Sequence, residues 1–172
     1  MKNLFLKIQP RSRQERNILI FSCLLALFLL FADQITKLWF VRNFELYQSV
    51  SLIPGWLNFT YVRNIGAAWS LFSGQVWVLA GFGITVAVCI MLFFRKLAEN
   101  CPERYIALFM VISGICGNSI DRVCRGAVVD FIHFHYYAAW HYPVFNIADM
   151  AICCGIGIYL ISGLLRKNSA GE

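Results

Sequence analysis

Asp130 and Asp149 each interrupt an apolar run, Val128-Val129-Asp130-Phe131-Ile132 and Ile147-Ala148-Asp149-Met150-Ala151, and neither has a basic residue at helical spacing. Two acids at one depth without counter-ions are tolerated at least cost when they face each other and share a proton. Like charges in contact raise one pKa above the ordinary value of about 3.9 and leave the other group ionised. The ionised acid can then take a proton from water while its protonated neighbour polarises a carbonyl, which is the chemistry of an aspartyl hydrolase. A cation-binding pair in a small transporter would use the same residues and is the competing reading.

Other polar residues surround this pair in sequence. Asp33 and Lys37 stand four residues apart on one apolar segment, and either neutralise each other or serve a site. Asp121-Arg122 ends another segment, as an interfacial anchor, a tie to a loop or part of a site. Asn64 stands in a loop, and Asn118 and Asn146 act either as polar glue between helices or as groups that orient carboxylates. His133, His135 and His141 offer an H-x-H spacing, yet no third ligand stands at a fixed offset and aromatics surround them. An interfacial role is therefore expected rather than zinc. The seven cysteines form no C-x-x-C and mostly sit in apolar runs, where the thiol packs as a small hydrophobe. A thiol oxidoreductase would need paired outward cysteines, and only Cys124 falls in an outer loop.

The elements that must carry these residues are membrane helices. Of 172 residues, 59% are apolar and 14% charged, and the mean hydropathy is +0.64. Soluble domains carry about 25% charged residues, so this chain has too few charges to cover a globule in water. The net charge of +6 sits in short clusters beside apolar runs, which excludes a nucleic-acid-binding module. Four apolar stretches, about 18–40, 75–94, 105–122 and 143–165, approach the ~20 residues that cross ~30 Å of hydrocarbon. The expected fold is an all-α integral membrane protein, a single domain of four transmembrane helices with a small β-containing outer loop region.

Lys and Arg set the orientation. Ten fall in the tail 1–17, the 95–104 connection and the C-terminal end, against four in the loops 41–74 and 122–144. Both termini are therefore expected in the cytoplasm and both longer loops outside. A cleaved signal peptide is disfavoured for the first segment, because Asp33-Gln34 follows where small residues should. Leu57–Val62 alternates as a short strand, and the loop 122–144 is rich in Tyr and Trp, which favour the membrane boundary. At ~1.5 Å per helical residue, Asp33 lies roughly 22 Å and Asp121 roughly 24 Å outward, and Asp149 only ~9 Å inside the outer boundary. Every charge in or beside a span thus gathers in the outer third, with none buried on the cytoplasmic side. The transporter reading needs charge at mid-membrane or access from both sides, which this distribution lacks.

Five blocks in order resemble the lipoprotein signal peptidase family, also called signal peptidase II. They are Asp33-Gln34-Ile35-Thr36-Lys37, Asn64-Ile65-Gly66-Ala67-Ala68-Trp69-Ser70, Gly117-Asn118-Ser119-Ile120-Asp121-Arg122, Gly126-Ala127-Val128-Val129-Asp130-Phe131-Ile132 and Phe145-Asn146-Ile147-Ala148-Asp149. Trp69 and Ser119 depart from the phenylalanine and leucine frequent in the family. The resemblance implies a metal-free aspartyl endopeptidase of the bacterial inner membrane, without cofactor, with Asp130 and Asp149 catalytic. It implies Asp33, Lys37, Asn64, Gly66, Asn118, Asp121, Arg122 and Asn146 as substrate-binding or site-organising residues. The implied substrate is a diacylglyceryl-modified prolipoprotein cut before its lipidated cysteine near the periplasmic face. Membrane lipid and globomycin-type inhibitors are the other implied partners, and the chain is expected to act as a monomer. The run Gly66-Ala67-Ala68 suits close approach to an extended peptide, and Arg122 either holds Asp121 or reaches lipid phosphate.

Overall fold

The computed structural model describes residues 12–66, 72–137 and 139–169, with side chains described as far as Arg166. Ala67, Ala68, Trp69 and Ser70 of the second block, and Lys2, Lys7 and Arg11 of the basic tail, lie outside the described residues. Helix α1 (Arg13–Asn43) opens at Ser12, whose hydroxyl accepts the Glu15 N–H at 3.1 Å and so satisfies one free donor of the first turn. Its burial is inverted relative to a soluble helix. Ser22, Asp33, Lys37 and Phe40 are buried, while Phe21, Leu24, Phe28, Phe31 and Ile35 are exposed. A polar stripe turned inward and an apolar surface turned outward suit lipid as the surrounding medium.

Helix α2 (Val76–Leu92) and the short α3 (Phe94–Ala98) lead to α4 (Pro102–Arg125), and α5 (Ile147–Ser169) closes the bundle. The central helix is α4, which packs against α1, α2, α3 and α5. Its contact with α5 is made by glycines: a Cβ on Gly114 would lie 2.3 Å from the Ala148 carbonyl oxygen, and one on Gly155 2.7 Å from that of Ala107. Small residues let two helix backbones touch where the surrounding medium gives no hydrophobic drive. Of the four expected spans, α1, α4 and residues 147–166 of α5 are long and apolar enough to cross a membrane, and α2 is a shorter apolar helix of 17 residues.

Two details differ from the sequence expectation. The last helix begins at Ile147 rather than Pro143, because the Phe145 carbonyl accepts the N–H groups of Phe131 and Ile132 at 3.0 and 2.8 Å, holding that segment beside a strand. Charge is also buried at the end of the bundle opposite the aspartates. There α4 starts at Pro102, so Arg104 sits in a helical turn and not in the connection. It is 6% exposed, donates to Ser162 Oγ at 3.1 Å, pairs with Glu99 and lies 5.0 Å from the Tyr159 ring centroid.

The loops fold into one antiparallel sheet of β1 (Ser49–Ile53), β2 (Leu57–Asn64), β3 (Val128–Tyr136) and β4 (Trp140–His141), in that order. The expected strand at 57–62 is β2, and β1 pairs with it through the Pro54-Gly55 turn. Phe40, near the end of α1, stacks on Phe131 at 4.4 Å and meets Phe59 edge-on at 5.2 Å, fastening the sheet to the bundle. A bulge between Phe59 and Val62 resets the register so that Val62 faces Asp130 and Asn64 faces Val128.

Candidate active site

Asp130 is the third residue of β3, and Asp149 stands in the first turn of α5. They come from different elements, and three asparagines hold them, of which Asn146 is bonded to both. Asn64 Nδ2 donates to Asp130 Oδ2 at 3.0 Å, and Asn146 Nδ2 donates to Asp130 Oδ1 at 2.6 Å. Asn146 also caps α5, its Oδ1 accepting the Asp149 N–H at 2.9 Å while Asp149 Oδ2 accepts the Asn146 N–H at 3.2 Å. This reciprocal exchange is a capping box with an asparagine and an aspartate in the two positions. Asn118 Nδ2 donates to the other Asp149 oxygen at 2.7 Å. Burial, and after it the charge of Asp149, push the Asp130 carboxyl up to about 7 against the donors Asn64 and Asn146.

Behind the acids lies a buried ion cluster. Lys37 is 0% exposed, and its ammonium lies 2.9 Å from Asp33 Oδ2, 2.9 Å from Asp121 Oδ2 and 3.0 Å from Asn118 Oδ1. Each partner holds an element that carries an acid. Asp33 Oδ1 accepts the Ala148 N–H at 2.9 Å, one residue before Asp149, where a helix N-terminus favours an anion. Asp121 Oδ2 accepts the Val129 N–H at 3.1 Å, one residue before Asp130. Lys37 is thus not merely a counter-ion within its own helix, because the same ammonium ties α1 to α4 and, through two carboxylates, to β3 and α5.

The acids open into a cavity of about 610 Å³ whose walls include Asn64, Gly66, Asn118, Arg122, Tyr142 and Phe145. Arg122 Nη2 donates to the Gly66 carbonyl at 3.1 Å, and the Gly66 N–H donates to Asn64 Oδ1 at 2.9 Å. The alternative that Arg122 holds Asp121 is corrected. Adjacent helical residues do not face each other, and Asp121 instead pairs with Lys37 and with Arg125 one turn on. Asp33, Lys37, Asp121 and Asn146 support the cavity from behind. The ten residues implicated by the family resemblance therefore meet in one region.

The histidines lie elsewhere on the sheet. His141 Nδ1 is 3.3 Å from His133 Nε2, His133 pairs in register with Asn58, and none of the three lines the cavity. Among the described residues, no three His, Cys, Asp or Glu side chains are placed to hold a metal ion. Two site residues escaped the sequence reading. Gln34 Nε2 donates to Asp33 Oδ2 at 3.1 Å and to the Gly117 carbonyl at 3.2 Å, and its Oε1 accepts from Arg125 at 2.9 Å. The spacing of four from Asp121 to Arg125 was the available signal.

Comparison with known proteins agrees with this architecture. A family model described as Signal peptidase (SPase) II matches residues 25–165. A lipoprotein signal peptidase of Shewanella baltica (strain OS195) is 40% identical over 148 residues, covering 84% of this chain and 85% of its own length. One from Shewanella amazonensis is 42% identical over 142 residues, covering 80% and 83%. A solved bacterial membrane enzyme superposes with a TM-score of 0.79 at 35% identity, over 88% of this chain and 92% of that one. With the match running from the first helix to the last, the chain belongs to the signal peptidase II family, whose members are aspartic peptidases.

Proposed function

We propose that this chain removes the signal peptide from diacylglyceryl-modified prolipoproteins, cleaving before the lipidated cysteine with a water activated between Asp130 and Asp149. The observation that carries the reading is the pair of buried acids opening into one cavity, with Asn146 bonded to both. Asp130, pushed up to about 7, is the proton-bearing partner, and Asp149, in the first turn of α5 where the helix N-terminus favours an anion, is the ionised one. Asp149 takes a proton from water as the oxygen bonds to the scissile carbonyl carbon, and Asp130 gives its proton to the carbonyl oxygen. Collapse of the resulting diol returns a proton to Asp130. The proton now on Asp149 goes to the departing amine as the C–N bond breaks. Asn64 and Gly66 supply the polar edge along which an extended peptide lies, and Arg122 fixes that edge through the Gly66 carbonyl.

The substrate's acyl chains confine it to the bilayer, so the acids belong near the outer headgroups. We read α1, α2, α4 and α5 as four spans in the bacterial inner membrane, with both termini cytoplasmic, the sheet on the periplasmic side and the chain acting as a monomer. Globomycin-type cyclic peptides are expected to compete for the cavity. The deciding experiment incubates the purified protein with a lipidated and an unlipidated precursor, alongside Asp130→Asn and Asp149→Asn. Cleavage of the lipidated form alone, lost in both variants, is the expected result. Undiminished cleavage by either variant removes that acid from the mechanism.

A further inference from the structure

Resting on the peptidase reading, we propose that Arg125 is a positioning residue for Asp130, acting through Asp121 to hold the start of β3 and to balance the charge behind the two acids. Arg125 is the last residue of α4, followed by Gly126 at φ 70, a left-handed turn that delivers the chain into β3. Its guanidinium bridges two partners: Nη1 contacts Asp121 Oδ1 and also donates to Gln34 Oε1 at 2.9 Å. Its carbonyl accepts from the guanidinium of Arg63, on the strand that pairs with β3. Four elements therefore converge on this residue: α1 through Gln34, α4 through Asp121, β2 through Arg63, and β3 through the turn.

The consequence for Asp130 has two parts. Asp121 Oδ1 contacts Arg125 and accepts from Gln34 Nε2 at 3.4 Å, while Oδ2 takes Lys37 and the Val129 N–H. Without Arg125 only the long Gln34 contact remains on Oδ1, so the carboxylate is held less firmly, and the residue it anchors directly precedes Asp130. The second part is charge. The groups around the acids are Asp33 and Lys37 on α1, Arg63 on β2, Asp121, Arg122 and Arg125 on α4, Asp130 on β3 and Asp149 on α5. Asp33, Lys37, Asp121 and Arg125 form a chain of alternating charge, Asp33 to Lys37 to Asp121 to Arg125, with two anions and two cations. Removing Arg125 leaves this cluster with one uncompensated negative charge close to Asp130, which favours its protonated form.

The experiment measures kcat and KM against pH for the full chain on a lipidated precursor, comparing wild type with Arg125→Gln, Arg125→Lys and Arg166→Gln. Arg166 pairs with Glu103 at the far end of the bundle and controls for the loss of a charge as such. Arg125→Gln is expected to lower kcat roughly tenfold through misplacement of the acid while KM changes little. It should also move the alkaline limb, where Asp130 loses its proton, upward by about 0.5 pH unit. Arg125→Lys keeps the charge but cannot span both partners, so its limb should stay in place while kcat remains low. An Arg125→Gln limb at the wild-type position, or an equal displacement in Arg166→Gln, overturns the proposal. Should Arg125→Gln fail to insert, Arg125→Lys decides alone, and wild-type kcat in it overturns the proposal. A wild-type protein that cleaves nothing refutes the peptidase reading itself.

Discussion

Replacing Asp130 by asparagine should abolish cleavage and, above neutrality, make the protein harder to unfold. The Asp130 carboxyl rises from 3.8 to about 7 on folding, a shift of roughly 3 units, worth about 4 kcal/mol at 1.36 kcal/mol per unit. The sign follows from proton binding. Between these two values the native state holds a proton that the unfolded chain has released, so stability falls as pH rises and levels off above about 7. Asparagine carries no such penalty. It does present an NH2 group to one of two donors, since Asn64 Nδ2 and Asn146 Nδ2 occupy both carboxylate oxygens. That mismatch costs about 1–3 kcal/mol. The net expectation is a variant more stable than wild type by about 1–3 kcal/mol at ~pH 8, and less stable near ~pH 3. Thermal unfolding in detergent, followed by circular dichroism across that range, reads the difference. A gap that does not vary with pH, or one that favours the variant more strongly toward acid, refutes the reasoning.

Lys37→Met leaves Asp33 and Asp121 buried without their shared cation and should cost about 3–5 kcal/mol, seen as a large drop in the unfolding midpoint. In Gly114→Ala the new methyl meets the Ala148 carbonyl oxygen at 2.3 Å, so the start of α5 must move. About 1–3 kcal/mol of stability should be lost, together with kcat because Asp149 moves with that turn. Cleavage should proceed at an unchanged rate in the presence of a strong chelator, and inhibition reversed by added zinc would bring the three histidines into the mechanism.

What the sequence disclosed was mainly composition, spacing and depth. Asp33 and Lys37, four apart in an apolar run, were visible as a buried pair because charge in lipid must have a reason. Asp130 and Asp149 stood out by lacking any partner nearby. What could not be read was who meets whom across the bundle. Lys37 reaching Asp121 and Asn118 depends on how α1 and α4 are rotated, and no spacing within one helix encodes that. Asn146 through Asp149 did carry the outline of a capping box, and reading it would have started α5 at Ile147. Arg104 was misplaced because Pro102 was taken as part of the connection, although proline suits a first helical turn. Strand β1 was missed although Ser49-Val50-Ser51-Leu52 alternates polar and apolar residues, because the alternation lasts only four residues at the shortest length that marks a strand.

The unequal lengths of the apolar helices bear on the lipids around this protein. At ~1.5 Å per residue, the 17 residues of α2 rise about 25 Å and the 31 of α1 about 46 Å, against a hydrocarbon layer of ~30 Å. On the four-span reading, α2 falls short of the hydrocarbon layer and pinches the bilayer beside it, while α1 lifts its charged ends, Arg13 to Arg16 and Arg42, clear of the lipid. Short-chain lipids should collect on the pinched flank, and acyl-chain length in reconstituted vesicles becomes a variable to control whenever turnover is compared.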